Sequence, residues 1–178
     1  MPTQPDAIAL LKEDHREVEK LFEQFEKAKN DERKVAIAQK ICTELIVHTM
    51  IEEELFYPAL RSKVDDDTLD EAYVEHDGAK MLIAEITAGA PGAAFYEAKV
   101  TVLAEEIKHH VREEERAKDG MFAQARAAGI DLKALAEQLK ARKEELMAEI
   151  ESDGLPVPTT RSMIGATVKT GAPLEMAH

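Results

Sequence analysis

Apolar residues recur every three to four positions almost without a break up to Ile150, the period of helices that bury one face. The first stretch, from about Pro5 to Lys29, carries the seam Ile8, Leu11, Val18, Phe22 and Phe25. Asn30-Asp31 is a turn with a capping residue, and a second helix follows with Ile37, Ile41, Leu45, Leu55 and Ala59 on one face. Asp65-Asp66-Asp67-Thr68 makes the next break, where Asp67 or Thr68 is suited to cap a third helix with the seam Leu69, Tyr73, Ile83 and Ile86. Gly89-Ala90-Pro91-Gly92 is a loop, and the fourth helix presents Val100, Leu103 and Ile107. Four amphipathic helices joined by short breaks predict antiparallel neighbours, an all-α, up-down-up-down four-helix bundle.

Lys118-Asp119-Gly120 loosens the end of the fourth helix, and Gly129-Ile130-Asp131 closes the bundle. Asp131 can cap an additional C-terminal helix whose apolar side is Leu132, Leu135, Leu139, Leu146 and Ile150, so this helix must pack on something. From Ser152 the composition changes to Leu155-Pro156-Val157-Pro158 and then small residues, which predicts an extended or disordered tail. The expected organisation is a bundle over residues 1–128, the added helix over 129–151 and the tail over 152–178.

The seams are interrupted by polar residues in a pattern that repeats. His15 lies between Leu11 and Val18; His48 and Glu52 continue the second seam, His76 the third, and His110 and Glu114 the fourth. A histidine followed four residues later by a glutamate stacks both on one helix face, one turn apart. A lone histidine precedes each such pair, by 33 residues in the first half and 34 in the second. Four His and two Glu from four helices form the ligand set of a dinuclear metal centre. Two buried carboxylates without partners would each cost several kcal/mol, and a cation is the simplest compensation. Glu53, Glu54, Glu113 and Glu115 fall off the seam and read as solvated or ion-paired residues. His109 points about 100° away from His110 and reads as a flanking residue. Imidazole and carboxylate without thiolate suit Fe, Mn or Zn, and two iron ions with open coordination positions are the leading choice.

Charge and composition narrow the function classes. A net charge of −13 argues against nucleic acid, because phosphate binding needs a basic face. No apolar run is long enough to span a bilayer and the N-terminus lacks signal-peptide character, so no membrane role and a cytoplasmic location are expected. The single Cys42 fits a reducing compartment; beside Ile41 and Leu45 it reads as a small core residue.

On Asp14-His15, His48-Thr-Met-Ile-Glu52-Glu53-Glu54-Leu-Phe-Tyr-Pro58, Glu75-His76-Asp77 and His109-His110-Val-Arg-Glu113-Glu114-Glu115, the chain resembles the hemerythrin-like proteins of the HHE cation-binding class over about residues 6–127. The resemblance implies a four-helix bundle with a non-haem di-iron centre that reacts with O₂, peroxide or nitric oxide. It also implies that Glu52 and Glu114 bridge the irons while His15, His48, His76 and His110 are terminal ligands. The oxygen-carrying members have a fifth histidine one turn after the one matching His76, where this chain has Lys80. That departure argues against reversible O₂ carriage and leaves a position for water, a glutamate or a tyrosine. Tyr57 and Tyr73 are the nearest tyrosines and read first as core or rim aromatics, and Lys80 reads first as a solvated lysine. Two functions are expected to compete: a redox protein that decomposes hydrogen peroxide in a catalase-like cycle, and a module that binds or senses O₂, nitric oxide or iron without turnover. The C-terminal helix and tail are the surface expected to meet a protein partner or a second copy.

Overall fold

The computed structural model describes residues 5–164, all of whose regular structure is helical. Helix α1 (Ala7–Lys27) starts at Asp6, whose carboxylate accepts from the Ala9 N–H at 2.9 Å and is held by Arg126. Helix α2 (Asp31–Ile51) starts at Asn30, which accepts from the Arg33 N–H at 2.8 Å. Such caps satisfy N–H groups that have no partner within the helix. Beyond Ile51 the helix passes through a π-helical turn (Glu52–Phe56) into the short α3 (Tyr57–Leu60). Helix α4 (Asp66–Thr87) begins slightly earlier than its sequence suggests, because Asp65 takes the cap position and accepts from the Thr68 hydroxyl. Helices α5 (Tyr96–Glu114), α6 (Met121–Ala127) and α7 (Leu132–Asp153) complete the described chain. Asp131 caps α7 as expected, accepting from the Lys133 and Ala134 N–H groups, and Gly154 ends it at a φ of 86°.

Helices α1, α2, α4 and α5 form the bundle, with α1 against α2 and α4 against α5 as the closest pairs. Their apolar seams make two separate cores rather than one. One core collects Ile8, Leu11, Ile51, Phe56, Leu69, Met121 and Phe122. The other collects Val18, Phe22, Ile41, Leu45, Ile83 and Leu103. Between them, at the level where the seam residue of every bundle helix is a histidine, lies a layer of buried polar groups. Helix α7 packs along α1 and α2 and inserts Leu135, Leu139 and Leu146 into the first core, which answers the need its apolar side created. Residues 154–164 run on without regular structure and dock beside α4. The expectation of an extended or disordered tail also covers residues 165–178, which lie outside the described residues. Among the described residues, no helix is long and apolar enough to cross a membrane.

Candidate metal centre

The four helices bring all six seam residues together. His15, His48, Glu52 and Glu114 form one buried group of potential ligand atoms, and Glu52, His76 and His110 form a second. Each histidine turns its Nε2 inward: His15 and His48 approach to 3.1 Å, and His76 and His110 to 3.3 Å. Each glutamate touches one histidine of either pair. Glu52 Oε2 lies 3.3 Å from His48 and 3.4 Å from His76. Glu114 Oε2 lies 3.4 Å from His15 and 3.6 Å from His110. Glu52 Oε1 and Glu114 Oε2 are buried yet have no hydrogen-bond partner. An orphaned buried carboxylate oxygen costs about 1–3 kcal/mol or more, and a cation removes that cost. The donor set, all imidazole and carboxylate, fits a first-row metal pair.

The outward-facing Nδ1 atoms show a second order that sequence reasoning missed. His48 Nδ1 meets Asp14 at 3.4 Å, His76 Nδ1 meets Glu53 at 3.1 Å, His110 Nδ1 meets Glu75 at 2.7 Å and His15 Nδ1 meets Glu115 at 2.8 Å. Every one of these carboxylates neighbours an inner residue in sequence: Asp14-His15, Glu52-Glu53, Glu75-His76 and Glu114-Glu115. A residue next to an inward-facing one lies about 100° round the helix, so it faces the adjacent helix instead. The contacts therefore run in a ring, each helix bracing the histidine of the next: α1 to α2, the π-turn after α2 to α4, α4 to α5, and α5 back to α1. A carboxylate on Nδ1 fixes ring orientation and leaves Nε2 as the ligating atom. Glu53 is thus buried against His76 and Glu115 half-buried against His15; both are also ion-paired, as the sequence allowed, Glu53 with Lys80 and Glu115 with Arg16, but their contact with a histidine was not foreseen. Glu54 and Glu113 are the ion-paired residues expected, with Arg142 and Arg116, and the His109 side chain is half exposed outside the cluster.

Electrostatics keep the metal-free cluster paired. Burial would lower the pKa of His15, but the neighbouring Glu114 and Glu115 carboxylates push it up to about 9. His76 is likewise pushed up to about 9, against burial, by Glu52 and Glu53. Burial works to raise the Glu114 carboxyl, yet the His110 and His15 imidazoles hold it well below its usual range. Glu115 falls to about 2, chiefly through its bond to His15.

Tyr57, expected first as a core aromatic, is fully buried with its hydroxyl inside the cluster. It lies 3.0 Å from Glu114 Oε1, 3.3 Å from Glu52 Oε2 and 3.2 Å from His76 Nε2. The π-turn explains this placement. Residues five apart diverge by about 140° on a regular α-helix, whereas the i→i+5 bond from the Tyr57 N–H to the Glu52 carbonyl aligns them. Burial first, and then the two carboxylates, raise the Tyr57 pKa well above 10, so without a cation it stays a phenol. Lys80 is buried rather than solvated and pairs with outer carboxylates, 2.6 Å from the Glu53 oxygen that meets His76 and 3.4 Å from Asp77.

Aromatic rings close the layer from the first core. Phe122 stacks on His15 with centroids 5.8 Å apart, and the Tyr57 ring stacks on His76 at 5.4 Å. Phe122 reaches its place because the chain doubles back tightly after α5 at Gly120. A Cβ there would lie 2.5 Å from the Arg116 carbonyl and 2.7 Å from that of Glu114. Two clefts reach the Glu114 side of the layer. One, of about 240 Å³, is lined by His110, Glu114 and the acidic Asp65, Glu71 and Asp119. The other, of about 640 Å³, lies between α1 and α5 and is lined by His15, Glu115, Phe22, Ile107 and Val111.

The sequence matches the Hemerythrin HHE cation binding domain over residues 6–118. The chain belongs to that family. Among solved structures it is similar in fold to a hemerythrin HHE cation binding domain-containing protein from Mycobacterium kansasii, with a TM-score of 0.70 at 24% identity. That alignment covers 85% of this chain and 96% of the other. The chain is also 30% identical over 106 residues to a DNA nickase from Nostoc sp.. The match covers 60% of this chain but only 30% of the nickase. Cation binding follows from the family; α7 and the segment after it lie beyond the family match.

Proposed function

We propose that the chain holds two iron ions and reacts through them with O₂ or peroxide, decomposing hydrogen peroxide in a catalase-like cycle. His15 and His48 would hold one ion, His76 and His110 the other, with Glu52 and Glu114 shared. The observation that carries this reading is the placement of each glutamate between one histidine of either pair, with a buried oxygen left unpartnered on both. Two iron ions held by these residues would supply two-electron redox chemistry toward peroxide. The protein's own contribution is positional. Four carboxylates lock the imidazoles, two apolar cores and the Phe122 and Tyr57 rings keep bulk water away, and the Tyr57 hydroxyl brings an oxygen to the group of Glu52, His76 and His110. That hydroxyl also holds a proton at the cluster, through the hydrogen bond it donates to Glu114 Oε1 at 3.0 Å. Manganese or zinc would fit the same donors, so the metal is decided by content rather than geometry.

A second reading, a module that senses O₂, nitric oxide or iron without turnover, is supported by the outer carboxylates: Asp14, Glu53, Glu75 and Glu115 are each engaged with a histidine, so none of the four is a free acid–base group. Elemental analysis of aerobically purified protein should give close to two irons per chain. Steady O₂ evolution from peroxide then supports the first reading; stable binding of O₂ or nitric oxide without turnover supports the second. No metal after anaerobic reconstitution with ferrous iron would overturn both. Nicking of DNA does not enter this reading, since most of the nickase lies outside the match and this chain is strongly acidic.

A further inference from the structure

The ring of outer carboxylates is braced by cations from two sources. Arg16 and Lys12 of α1 hold Glu115 within the family domain. Asp14 is held from beyond it, and Glu53 both by Lys80 within it, at 2.6 Å, and from beyond it. Lys143 of α7 reaches Asp14 at 2.6 Å, and Arg161 of the docked segment reaches Glu53 at 2.7 Å. These are the carboxylates on His48 and His76, the two histidines that share Glu52. Arg161 is itself pinned by Asp77, fully buried on α4. Its carboxylate accepts the N–H groups of Arg161, Ser162 and Met163 and the Ser162 hydroxyl, at 2.6 to 3.0 Å. The Arg161 guanidinium also lies 6.0 Å from the centre of the Tyr73 ring, which packs edge-on against Tyr57 at 5.2 Å. Two routes thus lead from Arg161 into the cluster, through Glu53 to His76 and through Tyr73 to Tyr57.

Resting on the dinuclear reading above, we infer that Lys143 and Arg161 are positioning residues: the segment C-terminal to the family domain clamps the Glu52 face of the metal centre by fixing the carboxylates that orient His48 and His76. The Glu114 face, into which both clefts open, is braced by the family domain alone. The clamp makes metal held at His48, Glu52 and His76 slow to leave.

The test uses the full chain loaded with ferrous iron anaerobically, with loss of iron to excess chelator followed over time. Lys143→Ala and Arg161→Ala should each speed that loss roughly tenfold, the lower end of what outer-shell changes do to metal affinity. Lys143→Arg and Arg161→Lys should recover most of the retention. Arg142→Ala is the control, because Arg142 joins α7 to Glu54, a carboxylate that touches no histidine in the cluster. It should leave iron loss at the wild-type rate. Arg161 is half exposed, so its loss should leave the melting temperature of the metal-free protein nearly unchanged. Wild-type rates of loss in both alanine variants, failure of both conservative variants to recover retention, or equal acceleration by Arg142→Ala would each overturn the inference. A wild-type chain that takes up no metal would instead overturn the dinuclear reading, and that result is distinguishable because it precedes any variant.

Discussion

Glu52→Gln isolates what the metal contributes, because it keeps the side chain's volume and removes its charge at the centre of the cluster. In the wild type, metal binding only to the folded state stabilises it by about 2.7 kcal/mol when free metal is at a hundred times its dissociation constant. For a chain of 178 residues each kcal/mol moves the midpoint by about 2–4 °C, so loading should raise it by about 5–11 °C. Glu52 touches a histidine of both pairs and has one oxygen with no partner, so under the proposed dinuclear site its carboxylate would serve either ion. Without metal, the Glu52→Gln variant gives up contacts of 3.3 and 3.4 Å to the two imidazoles but also a buried charge, two opposed effects. The metal-free midpoint should therefore move by only a few degrees, about 1 kcal/mol or less. The assay is anaerobic thermal unfolding followed by circular dichroism, with ferrous iron titrated into both proteins. The expected result is a large metal-dependent rise in the wild type and little or none in the variant. An equal rise in both would refute a ligand role for Glu52.

Tyr57→Phe removes an oxygen lying 3.0–3.3 Å from Glu114, Glu52 and His76 while keeping the ring stacked on His76. If the phenol joins the metal, ferric-loaded wild type should show a visible tyrosinate-to-iron absorption band that the variant lacks; identical spectra would count against it. His110→Ala should abolish binding at the second group, lowering iron content, while His109→Ala should leave it at the wild-type level by elemental analysis. The reverse outcome would shift the reading of α5 by one residue. Cys42 is buried, and burial pushes its thiol up to about 12, so the folded protein should resist alkylation at pH 8 and react only when unfolded. Because the folded state keeps that proton where the unfolded thiol loses it near pH ~8.5, Cys42 favours folding fully below that pH. Its contribution then falls as pH rises toward 12, which unfolding midpoints of wild type and Cys42→Ala across that range would show.

The helices, their caps and the six inward residues follow from local rules. Period 3.6 sets which side chains share a face, and a histidine or glutamate on an apolar seam must face the interior wherever the helix packs. Asp131 caps α7 for the same local reason, and the apolar stripe of α7 required a partner before one was visible. The outer carboxylates were present in the sequence as acidic neighbours of the inner residues, but which histidine each one serves depends on which helix lies alongside. Tyr57 could not be placed from spacing, because one π-turn rotates everything after it and no residue pattern announces that extra residue. The partners of Lys80, Lys143 and Arg161 are separated from them by up to 129 residues of chain, or lie a helical turn away on an unexpected side. Sequence by itself determined a helical bundle and a set of inward-facing potential ligands, since both arise from periodicity within single helices. The tertiary structure alone decided how those residues are braced, because a hydrogen bond between helices depends on their relative rotation and depth, and neither is written in the period of any one of them.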